Sequence, residues 1–252
     1  MKKLSYLSVV LLILFAATGC TGKGSGKKVS ETSTVPDTGF TGIKRYTSRN
    51  YLIKEVTFKN GVRQGLMKTF YQDGLLRQTF WYENNLREDS SCWYYPNGKL
   101  FRTTPYKHDT IDGIQKQFYG SGDIKAKIGY RKGFRTEFFQ EFEKNGKLFR
   151  DYPEVVVGLI DEYKSKGVYH IMLSLSDKSK KVKFYRGDFT DSRFDTTMVK
   201  SIKTIDGKAV LDLKKTGSPK PDSVNIIVEI STLYSNRYLI SKKISLPYND
   251  LN

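Results

Sequence analysis

The chain has 252 residues, with 43 basic against 26 acidic side chains, a formal net charge of +17, two cysteines and two histidines. So few cysteines exclude a disulfide-framed scaffold, and two histidines leave no donor set for a histidine-rich metal centre. Charge of this sign favours anionic partners, among which nucleic acid is the usual first candidate.

The N-terminus removes that candidate. Met1-Lys2-Lys3 is followed by an apolar run from Leu4 to Ala17, broken by Ser5, Tyr6 and Ser8, and then by Thr18-Gly19-Cys20. A charged start, a short apolar core and small residues before a cut are the parts of a secretory signal, here residues 1–19. The run is shorter than the ~20 residues of a spanning helix. The small residues ahead of Cys20 resemble the bacterial lipobox. That resemblance implies lipidation of Cys20 by a diacylglyceryl group and a palmitate-type acyl chain, hence a lipoprotein whose standing partner is a membrane. It places the mature chain in the cell envelope, outside the cytoplasm, where nucleic acid is not a standing ligand. Thr21 rather than Asp after Cys20 leaves inner and outer membrane both open. Cleavage takes Lys2 and Lys3 from the 43 basic residues and no acid, leaving +15. Such a charge suits anionic lipid headgroups or an acidic protein partner. Cys92, the other cysteine, then has no intramolecular disulfide partner.

Residues 20–39 are polar, with no aromatic residue and only Val29 and Val35 as aliphatics, and read as a flexible tether. Beyond them a repeat begins. Gly74, Gly98, Gly122 and Gly146 are spaced by 24 residues, as are the aromatic columns Phe70, Tyr94, Phe118, Phe142 and Phe58, Tyr82, Tyr106, Tyr130. An aliphatic column, Leu76, Leu100, Ile124 and Leu148, keeps the same spacing. Two turn signals occur per period, of the kind Gln72-Asp73-Gly74 and Lys59-Asn60-Gly61. Asn-Gly and Asp-Gly between β-prone residues are strong hairpin signals. Three-residue loops at the first turn pair Phe70 with Leu76, Tyr94 with Leu100, Phe118 with Ile124 and Phe142 with Leu148. The same loop length at the second turn pairs Phe58 with Val62, Tyr82 with Leu86 and Tyr130 with Phe134, so that one face is a continuous aromatic stripe.

The stretches TFKNGVRQGLMKTFYQDGLL at 57–76 and YRKGFRTEFFQEFEKNGKLF at 130–149 resemble bacterial MORN-type repeats, some of which carry an antitoxin label. The resemblance extends over residues 40–152 and implies an elongated single-layer antiparallel sheet of hairpins used for scaffolding, protein binding or membrane association, with no reaction. The columns depart from the pattern where Gly65 and Gly113 become Asp89 and Glu137, and where Gly61 becomes Asn85 and Asp109; looser turns are expected there.

From residue 153 the period stops. Tyr169, Ile171, Leu173 and Leu175 alternate, as do Ala209, Leu211, Leu213 and Val224, Ile226, Val228, Ile230. Roughly seven strands over residues 153–252 suit a β-sandwich of immunoglobulin-like architecture. The fold class is therefore all-β throughout.

No chemistry emerges. His108 falls at a turn and His170 on the polar side of a strand, both read as surface histidines; Asp188, Asp191 and Asp195 match no EF-hand spacing. There is no phosphate loop, nucleophile elbow or dinucleotide fingerprint. No enzyme, cofactor or metal is expected. The candidate binding face is the odd-numbered one, carrying Tyr71, Arg77, Trp81, Trp93, Tyr95, Lys99, Phe101, Tyr119, Lys125 and Lys127, since Trp, Tyr and Arg dominate binding hot spots. Its alternatives are plain strand formers, or aromatics covered by the C-terminal sandwich. The functional expectation is a membrane-anchored, non-enzymatic binding or scaffolding module for a protein or anionic envelope partner. In the competing readings the array is a spacer presenting a ligand-binding sandwich, or the chain is an antitoxin-like or immunity-like protein that binds a toxin.

Overall fold

The computed structural model describes residues 39–252; residues 1–38, and with them Cys20, the signal and nearly all of the tether, lie outside that range. The repeat region runs as β1 (Gly42–Ser48), β2 (Tyr51–Lys59), β3 (Val62–Phe70), β4 (Leu76–Glu83), β5 (Leu86–Tyr94), β6 (Leu100–Lys107), β7 (Thr110–Ile111), β8 (Gly113–Phe118), β9 (Ile124–Arg131) and β10 (Phe134–Glu141). Among the described residues these form one ten-stranded antiparallel sheet in which each strand pairs with its neighbour in sequence, apart from the short β7 beside β6.

Two kinds of turn alternate. At the glycine column the pairs Phe70 with Leu76, Tyr94 with Leu100, Phe118 with Ile124 and Phe142 with Leu148 form as the sequence predicts. Within each loop the glycine N–H closes back on the carbonyl of Tyr71, Tyr95, Tyr119 or Glu143 at 2.9–3.0 Å. The second kind of turn differs from expectation. Lys59 pairs with Val62, Glu83 with Leu86, Lys107 with Thr110 and Arg131 with Phe134, so the loops have two residues, not three. Both loop residues are left-handed: Asn60 and Gly61 at φ 52° and 76°, Asn84 and Asn85 at 49° and 69°, His108 and Asp109 at 49° and 63°. Such double left-handed turns match the twist of the flanking strands, and Asn and Asp tolerate the conformation. The copies lacking glycine at 85 and 109 are therefore as tight as the first.

A two-residue loop changes which side chains share a face, because a one-residue slip in register inverts a strand. Phe58 lies opposite Arg63, not Val62, and Tyr82 opposite Arg87. The two aromatic columns consequently fall on opposite faces, and the single continuous stripe expected from sequence does not form. The column of Gly65, Asp89 and Gly113 is not a turn but the site where the strand after each two-residue loop loses register: residues 64–66 face Thr57 alone and 89–91 face Phe80 alone. These bulge residues sit at φ 92°, 57° and 113°, a backbone that bends and twists the strand.

Neighbouring repeats are tied by groups that recur every 24 residues. The hydroxyl of Tyr71 donates to the Tyr94 carbonyl at 2.7 Å, that of Tyr95 to Phe118 at 2.9 Å and that of Tyr119 to Phe142 at 2.6 Å. On the opposite edge the second loop residue donates its N–H one repeat back: Asn85 to Arg63, Asp109 to Arg87 and Gly133 to Ile111, at 2.8–3.0 Å. The Arg87 side chain and backbone N–H both reach the Asp109 carboxylate and hold it below the usual carboxylate range. One face carries most of the buried side chains, including Val56, Tyr82, Ile128 and a polar row in which Ser91 and Gln115 both bond Thr104 at 3.1 Å.

The C-terminal part comprises β11 (Val155–Glu162), a one-turn helix α1 (Tyr163–Lys166), β12 (Val168–Leu175), β13 (Val182–Arg186), β14 (Lys200–Ile202), β15 (Thr204–Ile205), β16 (Lys208–Lys214), β17 (Ser223–Ser231) and β18 (Arg237–Ser245). Eight strands, one more than expected, form two four-stranded sheets, β11-β12-β16-β15 and β14-β13-β17-β18. Their inner faces enclose Ile171, Leu173, Leu213, Phe184, Ile226 and Val228 as an apolar core.

This sandwich meets the last hairpin of the repeat sheet. The Phe194 N–H donates to the Arg135 carbonyl at 2.8 Å, where an interior repeat would receive the next two-residue turn. Arg135 donates to the Arg237 carbonyl at 2.6 Å, and the fully buried Glu141 accepts from Thr232 and Asn236 at 2.7 and 2.8 Å. Phe139 stacks on Tyr238 with ring centres 5.5 Å apart. If the tyrosine ties hold the repeats together, Tyr95→Phe costs about 1 kcal/mol, and the triple change at Tyr71, Tyr95 and Tyr119 about 3 kcal/mol, in urea unfolding. A triple variant as stable as the parent would remove the ties from the account.

Candidate functional site

Following the cross-strand pairs across the sheet sorts the ten candidate residues. Leu66 lies opposite Trp81, Ser90 opposite Pro105 and Ile114 opposite Gly129, with Phe138 packed over Gly129. This row occupies the face away from the buried side chains. Beside it runs a second row in unbroken pairing from β2 to β10: Glu55, Lys68, Thr79, Cys92, Thr103, Lys116, Lys127 and Gln140. Trp81 and Lys127 share this face, as sequence parity predicts.

Trp93 does not. It pairs with Gln78 and packs edge-on against Phe80 at 5.5 Å, with the Arg102 guanidinium 4.2 Å from its ring centre. Phe80 and Trp81 are successive residues of β4 and point to opposite sides. The ten residues therefore do not form one face, and the cause is again the two-residue loop at 84–85. Tyr71, Tyr95, Tyr119 and Lys99 lie in the hairpin tips along one edge, where the three hydroxyls and the Lys99 ammonium, donating to Ser121 at 2.6 Å, tie repeats together. Arg77, Phe101 and Lys125 each lie against the tyrosine six residues before them, at 5.9, 5.0 and 5.9 Å. Tyr119 also meets Tyr234 of the sandwich, ring centres 6.3 Å apart.

What the exposed face offers is a line of large apolar side chains: Leu66, Trp81, Ile114 and Phe138 are 37, 42, 44 and 41% exposed. Leu66, Ile114 and Phe138 belong to one column of the 24-residue period, interrupted by Ser90, a signal present in the sequence but overlooked in favour of aromatics. The adjoining lysines are unneutralised at one end. Lys116 lies directly across from Lys127, and no carboxylate among the described residues is within ion-pair distance of Lys116, Lys125 or Lys127.

Among the described residues no group of three His, Cys, Asp or Glu side chains is placed to hold a metal ion. The three aspartates of the 188–195 loop are occupied by Asn225, Arg193 and Thr197. His108 sits at its turn beside Glu88. His170 is not a plain surface histidine: it is half-buried, with Nδ1 2.8 Å from Asp212 and Nε2 3.1 Å from Glu162. Asp212 first and Glu162 second raise its pKa above the ordinary value.

Two measurements follow from this geometry. Trp93→Ala should cost about 1–3 kcal/mol, as expected for a half-buried ring, whereas Trp81→Ser should stay within about 1 kcal/mol of the parent. The reverse order would put the assignment of faces in error. For His170 the protonated form is favoured by folding, so its stabilisation is complete below about pH 6.5 and is lost as pH rises through its higher folded value. An imidazole NMR titration should place His170 above 6.5, and His170→Gln should flatten the alkaline decline in melting temperature over that window.

Residues 90–108 and 111–132 match the family model of a MORN repeat variant. The matched stretches run from β5 to the turn after β9, break at the Asp109-Thr110 step, and contain the bulge glycine Gly113 and the tyrosine tie of Tyr95 to Phe118. No curated protein sequence matches the chain. Over those residues the central part of the sheet is similar to MORN-type repeats.

Proposed function

We propose that the chain is a cell-envelope lipoprotein, anchored to a membrane through lipid on Cys20, whose repeat sheet is a non-enzymatic recognition and scaffolding surface. The observation that carries the reading is the line of half-exposed Leu66, Trp81, Ile114 and Phe138 on the side of the sheet away from its buried side chains. A solvated sheet face alternates to Thr, Lys and Glu; four large apolar residues in a line spanning seven strands mark a surface that another molecule covers. The chemistry suited to that surface is binding, because the polar groups around it bond one another or are lysines lying over aromatic rings, as Lys127 does over Phe142 at 5.6 Å. Anchorage rests on the sequence ahead of Cys20 and on the polar residues 21–38, long enough to let the sheet stand clear of the bilayer.

A second reading, in which the array is a spacer for the sandwich, is favoured by the buried Glu141 junction. That junction makes the last repeat and the sandwich a continuous piece.

Two experiments separate these ideas. Radiolabelled palmitate should enter the parent chain and not Cys20→Ala; label in the mutant would discard the anchor. Envelope crosslinking of Leu66→Ser/Trp81→Ser should lose partners at an unchanged melting temperature. Partners that persist in that variant but vanish on substituting exposed sandwich residues such as Met172 and Val210 would favour the spacer.

A further inference from the structure

Beside the apolar line, the lysine row gives the sheet face a second, parallel character. Lys116 and Lys127 stand two residues along their strands from Ile114 and Gly129, as does Lys68, itself 4.0 Å from Glu55, from Leu66, a lateral offset of about 7 Å. Lys116 and Lys127 face each other directly, an arrangement of like charges that costs stability unless an anion is shared between them. Resting on the recognition reading above, we propose that this face seats an extended peptide of a partner protein, with an apolar side chain at every third residue and carboxylates on one flank.

Three features select this occupant. First, β2 to β6, β8 and β9 each have a partner strand on both sides, so their backbone groups are committed and the occupant cannot join as a strand. It must run across the strands with a backbone satisfied by water, which is the property of a polyproline-II segment. Second, the periods agree. One repeat advances two strands, about 9.6 Å, and three residues of a polyproline-II chain advance about 9.3 Å. Residues at every third position thus stay in step with the column Leu66, Ser90, Ile114 and Phe138, apolar at three of its four places, over a path of six strand spacings, or about 29 Å. Third, successive strands twist by roughly 20–25°, so over six spacings the lysines and apolar groups turn away from any common plane. A peptide can follow that twist, whereas a flat lipid surface meets only part of the line.

The probe is a displayed library of random 16-residue peptides panned on the purified full chain. The expected enrichment is of acidic sequences with apolar residues at i, i+3 and i+6. Their affinity should fall at least tenfold in Lys116→Glu/Lys127→Glu and in Ile114→Ser/Phe138→Ser. It should be kept in Lys116→Arg/Lys127→Arg, with melting temperatures showing every variant folded. Neutral or basic selected peptides, or acidic ones that bind the charge-reversed chain within twofold of the parent, would overturn the inference. So would sedimentation with phosphatidylglycerol vesicles that the same lysines control in the absence of any peptide enrichment. Loss of envelope crosslinks in Leu66→Ser/Trp81→Ser without any enriched peptide would sink the peptide and leave the recognition surface standing.

Discussion

The architecture of this sheet depends on the length of one loop. A two-residue turn forces each residue of an even position to pair with one of an odd position, and a change of a single residue would send every later side chain to the other side. The pairs at 59–62, 83–86, 107–110 and 131–134 repeat that constraint every 24 residues. The bulges after them add two residues and so leave the parity intact. The result is one side where Val56, Tyr82 and Ile128 are buried and another where Leu66, Trp81 and Ile114 stay in solvent.

With the sides settled, cohesion between repeats comes chiefly from polar groups. A sheet with one side largely open cannot rely on a two-layer core, and its buried side includes Ser91, Thr104 and Gln115 as well as aliphatics. Tyrosine hydroxyls along one edge and turn N–H groups along the other lock each hairpin to the next. Arginines add contacts over the aromatic column, Arg63 lying 4.5 Å from the ring of Tyr82 and Arg87 4.3 Å from that of Tyr106. Stability in such an array is close to a sum over neighbours, and each neighbour interface here reuses the same few bonds.

Much of this was legible in the sequence because it is local. The pairs Phe70 with Leu76 and Phe118 with Ile124 follow from loops whose glycine column is unmistakable. The other loops are one residue shorter than the three expected, since Asn60-Gly61 admits a two-residue turn as well as a longer loop. That one residue puts Trp93 on the side of the sheet opposite Trp81. The alternating strands of the sandwich could be read, but the short strands at 200–205 carry no periodicity to find. The junction was out of reach: Glu141 meets Thr232 and Asn236 across 91 and 95 residues of chain. The His170 clamp likewise joins residues 8 and 42 positions apart.

The end of the array has a consequence for how such a chain can change. At Arg135 the carbonyl that would take the N–H of a following turn takes that of Phe194 instead, and the tyrosine column ends at Glu143. The sandwich meets the last hairpin and the Tyr119 ring beside it, in the place that a following repeat would take. Duplication or loss of a whole interior unit would therefore leave both the junction and the parity of the faces untouched, altering only the span of the sheet, in steps of about 9.6 Å. Length in this molecule is a heritable variable that can be tuned in quanta without reinventing either end.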